Sequence, residues 1–96
     1  MQPAEALAAN RAAIRRIVEA YHARNPRVFG SVARGEDTDG SDLDLLVDPT
    51  PETTLFDIAA ICDELSRLLG VPIDVVTPNG LPDRNREKIL AESRPV

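Results

Sequence analysis

Residues 27–47 read RVFGSVARGEDTDGSDLDLLV, and this segment carries the central elements of the predicted fold. Its pattern predicts a short strand, a helical turn that ends at Gly35, a polar loop, and a second strand at 43–47. Gly30 and Ser31 come directly after the first strand and open the turn. Because glycine carries no side chain to block close approach, the backbone N–H groups there can face an anion. Gly30 and Ser31 therefore form a candidate phosphate site.

Apolar periodicity on both sides of this stretch predicts the remaining elements. Asn25-Pro26 is expected to close the first helix, because the residue before proline is disfavoured in the α region. Thr53 or Thr54 is the expected N-cap of the second helix, and Gly70 its C-terminal glycine. The result is an α/β (α+β) domain, a single unit spanning residues 1–96. The predicted helices are 4–24, 55–69 and 83–92, and the predicted strands are 27–29, 43–47 and 71–76.

Composition excludes several classes of protein. The chain has 96 residues, 43% of them hydrophobic, which favours a small folded domain over disorder. Its net charge of -5 and its three aromatic residues disfavour direct nucleic-acid binding. Neither a membrane-spanning run nor a signal peptide is present in the sequence. We therefore expect a cytoplasmic protein that makes no use of a membrane.

Three aspartates occupy positions where a purely structural strand would carry apolar residues. Asp42 and Asp44 are two apart, so strand alternation places both on one face, roughly 6.5 to 7 Å apart. Asp74, between Ile73 and Val75, joins that face if the third strand neighbours the second. Carboxylates held together repel one another unless a cation lies between them. With one histidine and one cysteine in the chain, Mg²⁺ or Mn²⁺ suits this site better than zinc.

An anion site beside a divalent-cation site is typical of phosphoryl or nucleotidyl transfer, in which two metal ions stabilise the attacking and leaving oxygens. The alternatives are a calcium loop and isolated structural acids. A calcium loop beginning at Asp37 would need glycine at its sixth position, where Asp42 stands. Single aspartates are usually turn or surface residues, but this combination favours a functional site.

The order Gly30-Ser31-x-x-Arg34-Gly35, five residues, then Ser41-Asp42-x-Asp44 resembles the signature of the polymerase-β-like nucleotidyltransferases. Most closely it resembles the short MNT (minimal nucleotidyltransferase) domains that pair with HEPN-domain toxins, and the likeness covers nearly the whole chain. It implies a small mixed sheet flanked by helices. It also implies roles for seven residues: Gly30, Ser31, Arg34 and Ser41 in nucleotide binding, and Asp42, Asp44 and Asp74 in catalysis and metal binding.

Within that resemblance, two Mg²⁺ ions are the cofactors, with Mn²⁺ as a substitute, and Asp74 also helps to deprotonate the acceptor hydroxyl. Arg34 could contact phosphate or act as a scaffold for the loop, and the sequence leaves both open. The family implies transfer of AMP from ATP to a hydroxyl, a tyrosine of a HEPN toxin, which makes this chain an antitoxin in a hetero-oligomer.

Two other functions stay open. One is an antitoxin that neutralises its partner by stoichiometric binding, with no catalysis. The other is nucleotidyl transfer to a small molecule, which we rank lower because the expected domain leaves no room for an acceptor-binding region. The complete set of three aspartates favours the enzyme over the binding module.

Overall fold

The computed structural model describes residues 2–96, which form a mixed sheet of four strands flanked by helices. The order across the sheet is β3-β2-β1-β4; β2 runs parallel to β3 and antiparallel to β1, which is itself antiparallel to β4. This architecture confirms the predicted α+β class. The strands are β1 Ala23–Phe29, β2 Leu43–Pro49, β3 Ile73–Val76 and β4 Arg94–Pro95.

Five α-helices and one 3₁₀ turn, Pro78–Gly80, accompany the sheet within residues 2–96. None of the helices in residues 2–96 combines the length and the hydrophobicity of a membrane span. The helices are α1 Pro3–Ala9, α2 Arg11–Ala20, α3 Gly30–Arg34, α4 Leu55–Leu69 and α5 Asp83–Glu92.

The core lies on one face of the sheet. Leu43, Leu45 and Val47 alternate along β2, and each is fully buried. They belong to one apolar cluster with side chains from α2 and α4, notably Ile14, Val18, Ile61 and Leu65. Since side chains alternate along a strand, residues 44, 46 and 48 of β2 point to the opposite face. The predicted functional aspartate of this strand therefore stands on the face away from the core.

The prediction of one helix over 4–24 is wrong, because Asn10 divides it. The Asn10 backbone N–H donates to the carbonyl of Leu7 at 3.0 Å, and its side-chain amide donates to Ala6 at 2.9 Å. Its own carbonyl accepts from the N–H of Ile14, the first turn of α2. Asparagine competes with helical hydrogen bonding in this way, while the apolar spacing continues across the break and conceals it.

The predicted start of the first strand is also wrong: β1 begins at Ala23, so Asn25-Pro26 lies inside the strand. The pairing with β2 shifts register between Arg24 and Arg27. Asn25 adopts φ 53° there, a left-handed conformation that asparagine tolerates better than most residues. Proline is accepted at such an irregularity because no ladder hydrogen bond is needed from it.

For the remaining elements, some of the predicted bounds agree with the structure and others do not. The helices predicted at 55–69 and 83–92 are confirmed, and Thr54 is the N-cap, accepting from the N–H of Asp57 at 3.1 Å. The third strand is shorter than predicted, beginning at Ile73. Strand β4 was not predicted; it pairs with Arg27 and Val28 near the C-terminal end of β1.

Candidate active site

Two of the three aspartates are direct neighbours across the sheet. Asp44 in β2 and Asp74 in β3 are register partners in the parallel ladder, so both side chains stand on the same face. Asp44 is half-buried and Asp74 is exposed. Asp42 lies just before β2 begins and is exposed. The sheet thus places one shielded and two accessible carboxylates at the start of the central strands.

The electrostatics at Asp44 show that these charges act on one another. Burial raises the pKa of the Asp44 carboxyl, and the negative charges of Asp74 and Asp42 raise it further. Arg34 opposes this shift in the pKa, whereas Glu92 adds to it. Like charges in a partly shielded place disfavour ionisation, so a cation bound here would stabilise the carboxylate form.

The three carboxylates do not form a closed coordination shell: within residues 2–96, no three acidic, histidine or cysteine side chains are grouped tightly enough to hold a metal ion as they stand. The donors at this edge are all carboxylate oxygens, which fits Mg²⁺. Magnesium also commonly uses one or two protein carboxylates, with water and substrate phosphate completing its shell. The residues present therefore fit a magnesium site that a bound nucleotide would complete.

Gly30 lies directly against Asp44. Its φ is 71°, and a Cβ atom added there would stand 2.3 Å from Oδ2 of Asp44. Phe29, the residue before it, is the register partner of Asp44 in the antiparallel ladder. Any side chain at position 30 would collide with the carboxylate, so glycine is needed for space as well as for backbone conformation. The Gly30-Ser31 turn and the aspartate pair therefore form one continuous site.

Arg34 is held by two acidic side chains. Its Nε donates to Glu36, and its Nη1 lies 3.2 and 3.3 Å from the two carboxylate oxygens of Glu92. The Gly30 N–H donates to Glu92 as well, at 3.1 Å. Of the two roles left open for Arg34, phosphate contact and loop scaffold, these contacts favour the scaffold.

Ser41 closes the polar loop that leads into β2. Its hydroxyl oxygen accepts the N–H of Thr38 at 2.9 Å, and its own N–H donates to the Thr38 carbonyl at 3.0 Å. The loop is also tied to the start of α1, because Asp37 accepts the N–H of Ala4 at 2.9 Å. Ser41 therefore orders the approach to Asp42, and its contact with a nucleotide stays a prediction.

Sequence reasoning missed Glu92, which the fold brings from the end of α5 to the Gly30 turn. A weak signal was present: a carboxylate in the last turn of a helix faces the negative end of the helix dipole, which disfavours it slightly unless donors from elsewhere contact it. A pocket of about 250 Å³ lies beside these contacts, and its lining residues are Phe29, Gly30, Arg34, Asn85, Lys88, Ile89 and Glu92.

Known proteins share this fold. A family model described as "Nucleotidyltransferase domain" matches residues 13–96. A solved structure of a candidate minimal nucleotidyltransferase is 45% identical, with a TM-score of 0.87 over 97% of this chain and 95% of that one. A toxin–antitoxin complex solved with AMP-PNP is 16% identical, with a TM-score of 0.75 over 90% of this chain and 71% of its own, a likeness of fold.

Two curated relatives are similar in sequence. Protein adenylyltransferase MntA of Thermococcus cleftensis is 34% identical over 74 residues, which cover 77% of this chain and 75% of MntA. The MJ0126 protein of Methanocaldococcus jannaschii, named as a candidate protein adenylyltransferase, is 32% identical over 74 residues, covering 77% of this chain and 76% of its own. The fold and these matches define a nucleotidyl-transferring domain. The chain belongs to the nucleotidyltransferase domain family, in the minimal branch that includes MntA.

Proposed function

We propose that this chain transfers AMP from ATP to a tyrosine hydroxyl of a partner HEPN-domain toxin, and thereby acts as an antitoxin. The observation that carries the proposal is the pairing of Asp44 with Asp74 beside the Gly30 turn. The chain's relative MntA is named a protein adenylyltransferase, and this name supports the same class of reaction for the chain. Residues 1–96 would act as one catalytic unit, and the proposed location of the reaction is the cytoplasm, where ATP is available as the donor.

In the proposed reaction, the acceptor oxygen forms a bond to the α-phosphorus of ATP, the bond to the bridging oxygen breaks, and pyrophosphate leaves. Asp74 accepts the proton of the attacking hydroxyl; its exposure on the face away from the core gives a partner's side chain access to it. Asp42 and Asp44 would hold Mg²⁺ together with Asp74. The bound metal would supply positive charge for the oxygens that become more negative in the transition state.

Gly30 and Ser31 would receive the triphosphate. The missing side chain at position 30 lets the backbone of the turn lie directly against the Asp44 carboxylate, so that phosphates bound at the turn would be close to the metal that this carboxylate would hold. In this proposal Arg34 shapes the turn from behind through its two acidic partners. The ATP preference follows from the adenylyltransferase names of the relatives.

Stoichiometric neutralisation without catalysis is the second candidate, and one exposed apolar surface is compatible with it. Leu55 and Phe56, at the first turn of α4, are each 87% exposed. Two adjacent, solvent-facing apolar side chains are suited to contact with another protein. Such a contact would serve a binding antitoxin, and it would equally hold a toxin in place for modification.

Turnover separates the two candidates. A HEPN-domain protein, sought first among the reading frames beside this chain's gene, is mixed, in excess, with small amounts of the chain, Mg²⁺ and ATP. Catalysis predicts that each molecule of chain silences many molecules of toxin, that the toxin gains the mass of AMP, and that protection persists after the chain is removed. Binding predicts protection that saturates at a fixed ratio, ignores ATP and reverses on separation.

A matched pair of variants makes the comparison specific. The Asp42→Ala, Asp44→Ala variant removes two proposed metal ligands and should fail at low ratios. Asp63→Ala removes an exposed carboxylate of α4 and should protect like the wild type. Full protection by the double variant at a low ratio would overturn the catalytic proposal in favour of binding.

A further inference from the structure

Glu92 makes an unusual set of contacts for the last residue of a helix. Its Oε1 accepts the Gly30 N–H at 3.1 Å, and its two oxygens accept from Nη1 of Arg34 at 3.2 and 3.3 Å. Its side chain is 20% exposed, against 48% for Arg34. Hydrogen bonds between a carboxylate and a guanidinium are about twice as strong as neutral ones. These contacts therefore tie the end of α5 to both ends of the five-residue helix α3.

The position of Glu92 is unfavourable without those donors. The C-terminal end of a helix carries partial negative charge, so a carboxylate in the last turn is destabilised. It also adds negative charge near Asp44, whose pKa it raises. The Glu92 carboxylate is therefore unfavourable for α5 itself, but its three hydrogen bonds stabilise the Gly30–Arg34 turn.

Gly30 is consequently confined from two directions. On its α-carbon side the carboxylate of Asp44 fills the space where a Cβ would stand. On its N–H side the carboxylate of Glu92 accepts a hydrogen bond. The first contact limits how closely the turn can approach β2, and the second fixes the direction of the Gly30 N–H. Loss of the second contact would leave the start of the turn less firmly oriented beside the aspartate pair.

We propose that Glu92 is a positioning residue for nucleotidyl transfer: its carboxylate fixes the Gly30–Arg34 turn against Asp44 by accepting from the Gly30 N–H and from Arg34. This inference rests on the proposed function, because the turn is the part of the site that would receive the triphosphate. The proposal also gives Arg34 a definite role: its positive charge stabilises the Glu92 carboxylate at the end of α5. The competing interpretation is that Glu92 occupies the phosphate position itself and must leave when ATP binds.

Three variants of the full chain test the proposal. Glu92→Ala removes both contacts, whereas Glu92→Gln keeps the shape and an acceptor oxygen for the Gly30 N–H but loses the charge. Glu87→Gln makes the same charge change at an exposed position of α5 and is the matched control. With the toxin as acceptor, we expect kcat/KM to fall about 10-fold or more in Glu92→Ala, as when outer-shell partners of a site are removed. Glu92→Gln should recover part of the loss, and Glu87→Gln should match the wild type.

A second measurement needs no turnover, so it keeps this proposal distinct from the proposed function. The amide resonance of Gly30, followed by NMR, should move upfield in Glu92→Ala, move less in Glu92→Gln, and stay in place in Glu87→Gln. Mg-ATP titrations of the same proteins should show weaker binding in Glu92→Ala. The wild type could transfer no AMP while Glu92→Ala still moves the Gly30 resonance and weakens Mg-ATP binding. In that case the proposed function fails and the positioning role stands. An unchanged Gly30 resonance in Glu92→Ala, or tighter Mg-ATP binding, would overturn the positioning role.

Discussion

Strand β2 carries an aspartate near each end, and the two aspartates have opposite electrostatic surroundings. Asp44 and Asp48 stand on the same face of the strand, and both are half-buried. Asp48 is met by Arg27, whose two terminal nitrogens lie 3.1 and 2.9 Å from its oxygens, and by the Asn25 amide at 3.1 Å. Asp44 has two aspartates for neighbours and a glycine pressed against it.

The pKa shifts of the two carboxyls record this difference. Hydrogen bonds from Arg27 and Asn25 lower the pKa of Asp48, whereas burial and negative neighbours raise the pKa of Asp44. An aspartate that serves the fold is neutralised by partners within the chain. Within residues 2–96, Asp44 has no such hydrogen-bonded ion pair, and the raised pKa of its carboxyl supports its proposed role as a metal ligand.

The largest effect is expected at Asp44. Asp44→Asn should reduce AMP transfer on the order of 10²-fold or more, about the loss seen when one charge-stabilising group is removed from an active site. The free energy of unfolding without metal should stay the same or rise, because a repelling charge is removed. Transfer rates and urea denaturation of the same preparation measure both. An active variant would remove Asp44 from the site, and an unfolded one would make it a structural residue.

Gly30 and Gly35 provide a matched pair for the space around that carboxylate. Both adopt left-handed φ, 71° and 72°, but a Cβ at Gly35 meets nothing within 4 Å. Gly35→Ala should therefore cost only the backbone strain, about 1 kcal/mol of unfolding free energy. Gly30→Ala should cost clearly more, because Oδ2 of Asp44 must move as well. Equal losses in denaturation experiments would show that the turn and the carboxylate are not in contact.

The smallest effect is expected at the structural end of β2. Asp48→Asn should lower the unfolding free energy by about 1 kcal/mol at neutral pH, a modest loss because the Asp48 side chain is 41% exposed. Transfer activity should be unchanged. A large loss of activity with full stability would place Asp48 in the site and erase the contrast with Asp44.

The same variant has a defined pH dependence. Since the pKa of Asp48 is lowered by folding, its ionised form stabilises the native state above its pKa in the unfolded chain. That stabilisation is lost as the pH falls through the lower, folded-state pKa. The difference in stability between wild type and Asp48→Asn should therefore be present at pH 7 and shrink below about pH 4. Denaturant melts across this range would detect the change.

How far the sequence could foresee these features depended on the range of the interactions involved. Helix α4 was predictable in full, because its Thr54 cap, its apolar spacing and its terminal glycine are all local signals. The face of the sheet on which the Asp44 side chain lies followed from strand alternation alone. Its pairing with Asp74 required β2 and β3 to be neighbours, a condition that the sequence leaves open and the sheet meets.

The features that escaped prediction depend on local competition or on distant contacts. Asn10 interrupts a periodicity that continues on both sides, so the apolar pattern alone cannot detect the break. Strand β4 has two residues and exists only because β1 offers an edge to it. Glu92 meets Gly30 across 62 residues of sequence, and its placement at a helix end was the only local sign of a distant partner.

The close fit of Gly30 against Asp44 also has an evolutionary consequence. Because a side chain at position 30 and a carboxylate at position 44 cannot occupy the same space, the two positions are expected to change together among descendants of this chain. A lineage that abandons catalysis and loses the aspartate is freed from keeping the glycine. The pair would then mark which homologues retain a working site and which persist for another purpose.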